Sequence, residues 1–80
     1  MDPREKVRSF ILGNFYVADP AALADAASLL DSGIVDSTGV LEVITFIEDE
    51  FKFKVDYAEM LPANLDSIDA ITAFVKRKLG

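Results

Sequence analysis

Ser37-Thr38-Gly39-Val40-Leu41-Glu42-Val43-Ile44-Thr45-Phe46-Ile47-Glu48-Asp49-Glu50-Phe51 carries the strongest periodicity in this 80-residue chain. Val40, Val43, Ile44, Ile47 and Phe51 recur at the spacing that stacks side chains on one face of an α-helix. Glu42, Asp49 and the rest of the polar set fall on or beside the opposite face. A helix therefore begins at Ser37, with an apolar face to bury and an acidic face to present.

Upstream, residues 17–36 show no sustained periodicity. Leu23, Leu29, Leu30, Ile34 and Val35 supply enough apolar contact to pin a long connection against a core, and the alanines at 21, 22, 24, 26 and 27 allow a turn or two of helix. A connection of this length is uncommon in a compact domain and often functional. Before it, Asp2-Pro3-Arg4-Glu5 combines an acidic N-cap, a proline at the first helical position and a glutamate three residues after the cap. These signals predict a helix over about residues 3–16, with Val7, Phe10, Ile11 and Phe15 on one face. Asp19-Pro20 closes that pattern, because the residue before proline is pushed away from helical geometry.

Downstream, Lys52-Phe53-Lys54-Val55 alternates like a strand, yet four residues without a partner make no sheet, so an extended connector is expected. Tyr57 to Leu61 reads as a short helical turn stopped by Pro62. Asn64 or Asp66 is placed to cap a last helix whose apolar set is Ile68, Ile71, Phe74, Val75 and Leu79. Lys76, Arg77 and Lys78 complement the negative end of its dipole. The expected fold is all-α: one domain over residues 1–80, a small four-helix bundle of three longer helices and one short helix, with a long loop between the first two.

Composition narrows the function. The hydrophobic fraction of 51% is too high for a disordered tail, and a net charge of −6 has the wrong sign for phosphate backbones or anionic membrane surfaces. No nucleic-acid partner and no membrane span are expected, and the charged start Met1-Asp2-Pro3-Arg4-Glu5-Lys6 does not read as a signal peptide, so the expectation is a cytoplasmic monomer. Cysteine and histidine are both absent, which removes thiol nucleophiles, zinc-thiolate sites and the commonest general base. No convergent acid, base and nucleophile remain, so the chain does not read as an enzyme.

The acidity is local. Residues 31–66 hold nine acids against Lys52 and Lys54, a net of −7, which steers a basic partner surface towards the Ser37 helix. A solvated face kept acidic for solubility is the plainer explanation. Asp-Ser occurs at 31–32, 36–37 and 66–67, and only Ser37 joins the long loop to the acidic helix. Ser37 is a natural N-cap, and a helix N-terminus is also a favourable place for a phosphate group.

Leu30-Asp31-Ser32-Gly33-Ile34-Val35-Asp36-Ser37, followed by V-L-E-V-I and E-D-E-F, resembles the acyl carrier protein family, in which G-x-D-S precedes a helix ending in acidic residues and phenylalanine. One extra residue separates Gly33 from Asp36 here. Pro62-Ala63-Asn64-Leu65-Asp66-Ser67-Ile68 with Ile71, Phe74 and Val75 is similar to the family's entry into its last helix, so the resemblance spans essentially the whole chain. It implies that Ser37 accepts a 4'-phosphopantetheine arm from coenzyme A, with Asp36 in support, and that Thr38, Glu42, Thr45, Glu48 and Asp49 lie where partner enzymes are recognised. It implies as partners a phosphopantetheinyl transferase, a loading ligase, and acyltransferase or synthase enzymes. The arm would supply the thiol this sequence lacks. Activation of the Ser37 hydroxyl would come from the transferase, with a divalent metal on the coenzyme A phosphates.

Two features depart from the family and bear on which partners dock. Thr38-Gly39 replaces a bulky aliphatic after the serine, and Gly39 costs roughly 1 kcal/mol against alanine in a helix, so a loose first turn is expected. Thr45 stands where many fatty-acid carriers have a large apolar residue. Phe10, Phe15, Phe46, Phe51 and Phe74 are large for so small a core and are expected to leave little room for a long acyl chain between the second and last helices. The leading reading is a freestanding acyl carrier. A second is an aminoacyl (peptidyl-type) carrier loaded by an adenylating ligase, and a third, of another class, is an unmodified acidic helical adaptor in which Ser37 is only a cap.

Overall fold

A computed structural model describes residues 2–80. Four α-helices and two 3-10 turns make up its regular structure: α1 (Pro3–Asn14), a turn at Pro20–Ala22, α2 (Ser37–Phe51), a turn at Tyr57–Glu59, α3 (Pro62–Leu65) and α4 (Ile68–Leu79). No strand occurs among the described residues, and the fold is the expected small helical bundle.

α1 starts as its sequence dictates, with the Asp2 carboxylate accepting the Arg4 N–H at 3.0 Å. It ends at Asn14, two residues before the sequence expectation, because Phe15 takes extended geometry (φ −127, ψ 152). Phe15 leaves the helix to pack against the start of α2. Val7 and Ile11 are buried in the core, and α1 makes its most extensive packing with α4.

The long loop is ordered by apolar anchors and by two carboxylates. Leu23, Leu29 and Val35 are buried, and Leu30 and Ile34 pack on the core. Asp25 joins Arg4 (3.1 Å) and Arg8 (2.9 Å) of α1, and its backbone carbonyl accepts the Asp69 N–H of α4 at 2.9 Å. Asp66 accepts from the Ser28 hydroxyl and from the Leu30 N–H at 2.9 Å. The loop is thereby tied to α1 and to the entry of α4, which fixes where α2 begins. The alanine-rich part forms only the single 3-10 turn.

The tail departs from expectation in three places. Pro62 does not merely stop the preceding turn: it opens α3, since proline at a first helical position gives up an N–H that needs no intrahelical partner. The cap of α4 is Ser67, whose hydroxyl accepts the Ala70 N–H at 2.9 Å, and neither Asn64 nor Asp66. Asp66 is engaged by the loop, while Asn64 accepts from Arg77 at 2.8 Å. Leu79 is 54% exposed and stands outside the core, whereas Ile68, Ile71, Phe74 and Val75 are all buried.

The aromatic expectation is also corrected. Phe74 alone among the phenylalanines lies in the buried core. Phe10 and Phe46 stack with centroids 4.2 Å apart, and Phe15 and Phe51 extend the row edge-on, forming a half-buried rail along the seam of α1 and α2. Ile47, Ile71 and Phe74 do fill the centre.

Candidate functional site

The start of α2 is defined by Asp36 rather than by Ser37. Asp36 is the N-cap, its Oδ1 accepting the Gly39 N–H at 2.7 Å, and its carbonyl accepts the Val40 N–H at 3.0 Å. Ser37 is therefore the first helical residue, not the cap, and its side chain is released from capping. It is exposed, and among the described residues no hydrogen bond engages its hydroxyl or the backbone N–H groups of Ser37 and Thr38. Unsatisfied N–H groups at a helix start form an electropositive rim suited to an anion.

Gly39 makes this geometry possible. It is buried, and a β-carbon there would sit 2.7 Å from Phe15 Cε1, 3.1 Å from Val35 Cγ1 and 3.3 Å from Asp36 Oδ1. The first turn is thus tightly packed, contrary to the expectation of looseness. The glycine lets the end of α1, the end of the loop and the cap carboxylate meet beside Ser37.

Ser37 stands on the rim of an apolar cavity of about 240 Å³ walled by Leu30, Val40, Met60, Leu61, Pro62 and Leu65. The segment after α2 forms one wall, which explains the placement of the 3-10 turn and α3. Tyr57, 89% exposed, lies in that segment, as does the half-exposed Leu61.

On the other side of α2, Thr38, Glu42, Thr45 and Asp49 line one shallow groove shared with α1. Thr45 Oγ1 donates to the Leu41 carbonyl at 3.0 Å, so its polarity is absorbed within the helix. Glu48 does not join this set: it is half-buried, and its Oε2 accepts the Val55 N–H at 2.9 Å, anchoring the extended connector. Glu50 is paired with Lys6 at 2.6 Å, and that hydrogen bond holds its carboxyl below the ordinary carboxylate value.

Leu41 was not singled out in the sequence, although it is 59% exposed and one turn beyond Ser37. Its signal was present: it falls outside the Val40, Val43, Ile44, Ile47 stripe, and an apolar residue off the buried stripe points outward. Phe10 and Asn14 of α1 also line the groove, which only the packing of α1 on α2 reveals.

No protein-family model matches the chain. It is similar to a protein of Serratia sp. described as "Probable acyl carrier protein PigG", with 26% identity over 72 residues covering 90% of this chain and 83% of that protein. No helix among the described residues is long and apolar enough to cross a membrane.

Proposed function

We propose that this chain is a carrier whose Ser37 hydroxyl is modified with 4'-phosphopantetheine from coenzyme A, and that it carries a small acyl or aminoacyl group. The observation that carries this reading is the state of Ser37: exposed, free of the capping duty that Asp36 performs, and beside an apolar cavity. The likeness to a carrier protein supports it.

In the modification step, Ser37 Oγ attacks the phosphorus of coenzyme A that bears the pantetheine. An Oγ–P bond forms, the bond to the other pyrophosphate phosphoryl breaks, and adenosine 3',5'-bisphosphate leaves. The hydroxyl proton passes to a base of the transferase, since this chain has no histidine. Asp36 holds the first turn so that Ser37 projects outward, and the free N–H groups of Ser37 and Thr38 face the resulting phosphodiester. Once attached, the arm supplies a thiol that holds cargo as a thioester.

Cargo size follows from the cavity. At about 240 Å³ it lies below the range of roughly 300–1,000 Å³ typical of ligand pockets, and Ile47, Ile71 and Phe74 occupy the centre beyond it. A short chain or single amino acid fits the space; a long fatty chain does not without opening the bundle. The expected partners are the transferase, a ligase that loads the arm, and an acyltransferase or synthase that unloads it.

Intact-protein mass spectrometry after incubation with coenzyme A and a broad-range transferase tests the proposal. Wild type, Ser32→Ala and Ser67→Ala should each gain one phosphopantetheine, and Ser37→Ala none. A mass gain retained in Ser37→Ala would refute the assignment, and no gain in wild type would leave the adaptor reading in its place.

A further inference from the structure

The cavity beside Ser37 has two unlike walls. Leu30 of the loop and Val40 of α2 form one, while Met60, Leu61, Pro62 and Leu65, from the segment after α2, form the other. The second wall is not hydrogen-bonded to the first. Among the described residues no hydrogen bond joins residues 57–65 to α2 or to the long loop, and α3 packs extensively on α4 but only sparsely on α2.

What holds this wall is the last turn of α4, through two links that meet on Glu59. The Lys78 ammonium donates to Glu59 Oε1 at 2.9 Å, and the same oxygen accepts the Asp56 N–H at 3.0 Å. Arg77 donates to Asn64 Oδ1 at 2.8 Å, and the Asn64 amide donates in turn to the Glu59 carbonyl at 2.8 Å. The Lys78 and Glu59 side chains are 24% and 30% exposed, so salt and water screen this pair less than one on open surface. Glu59 immediately precedes Met60 and Leu61, and displacing those two from Val40 moves Glu59 with them and strains both links. An acyl chain longer than the cavity accommodates gains apolar burial only if Met60 and Leu61 give way, so the cost of breaking the links is subtracted from that gain.

We infer that Arg77 and Lys78 are positioning residues for cargo selection: from the last turn of α4 they latch Glu59, keep the Met60–Leu61 wall closed on Val40, and so limit the carrier to short acyl or aminoacyl cargo. This deepens the carrier reading above and rests on it. The sequence offers these two cations only as partners of the α4 dipole.

The test loads wild type and variants with acetyl- or octanoyl-pantetheine, using a broad-range transferase and the matching acyl-coenzyme A, with each load confirmed by intact mass. The readouts are the melting temperature of the octanoyl form minus that of the acetyl form, and the amide shifts between the two forms at Val40, Met60 and Leu65. A general loss of stability lowers both forms and cancels in the difference. Wild type should show a melting difference near zero. Lys78→Met combined with Asn64→Ala cuts both links and should give a positive difference, with amide shifts about two- to fivefold larger than in wild type. Lys76→Met removes an exposed cation that makes no ion pair among the described residues and should behave as wild type. Equal differences in wild type and the double variant, or as large a difference in Lys76→Met, would overturn the inference and leave the carrier reading intact. A large positive difference already present in wild type would overturn it as well, because the wall would then not be held closed. Failure of wild type to accept the arm would remove the carrier reading and this inference together.

Discussion

The Glu48 carboxylate accepts the backbone N–H of Val55 at 2.9 Å, across the bend where the chain leaves α2. Val55 is buried, so this bond satisfies a backbone donor that water reaches poorly. Two glutamates that look equivalent in the sequence, Glu42 and Glu48, therefore do different work.

Charge reversal separates them. Glu48→Lys leaves the Val55 N–H without an acceptor and should cost about 1–3 kcal/mol of stability. Glu42→Lys, on the groove rim, should change stability by less than about 0.5 kcal/mol while slowing modification of Ser37. Urea denaturation and transferase rates on the same two proteins check both halves. Equal stability losses would remove the structural role assigned to Glu48.

Gly39→Ala sets two effects against each other. Alanine is the better helix former by roughly 1 kcal/mol, but its β-carbon would meet the Phe15 ring, Val35 and the Asp36 carboxylate together. Overpacking of this kind costs about 1–3 kcal/mol, so a net lowering of the melting temperature is expected. Phe15→Ala in the same chain should recover part of the loss. A higher melting temperature for Gly39→Ala alone would contradict the close packing beside Ser37.

The Asp66 carboxylate receives the Ser28 hydroxyl and the Leu30 N–H. Asp66→Ala should free the loop from the entry of α4 and cost about 1–3 kcal/mol. Amide exchange at Leu30 should accelerate more than at Val43 or Ile47 in the core of α2. Uniform acceleration across all three would mean that the carboxylate supports the whole fold and not the loop.

Acid sensitivity has an identifiable source. The Asp56 backbone N–H and then the Lys78 ammonium hold the Glu59 carboxyl below its ordinary value of 4.5, and Lys6 does the same for Glu50. Each folded value is depressed, so the stabilisation is complete above the unfolded value and is lost as pH falls through the folded one. The urea midpoint should therefore decline below about pH 4.5, and Glu59→Gln should make that decline shallower. Identical acid profiles for the two proteins would show that the Glu59 contacts do not form in solution.

The helices that organise the molecule were legible because their signals are local. Asp2-Pro3 starts α1, and the Val43, Ile44, Ile47 stripe announces α2. What escaped the sequence depends on residues far apart in the chain. Asp66 looks like a cap until Ser28, 38 residues earlier, takes its carboxylate and leaves Ser67 to cap α4. Phe10 falls on the apolar face of α1 and Phe46 off the apolar stripe of α2, and both are expected in the core by size, yet they stack with each other on the seam. Ser37 was correctly placed at the start of α2, while the division of labour with Asp36 is a matter of one residue's register.

The packing of α1 on α4 joins segments far apart in the sequence, and the contact of Arg4 with Asp69 spans 65 residues. During synthesis, the buried face of α1 lacks part of its cover until α4 has emerged. Bringing such distant segments together carries a loop-closure cost that contacts within α1 or within α2 do not. A ribosome stalled before α4 would display part of the apolar face of α1 to chaperones or to its neighbours, and the arrival of α4 would cover it.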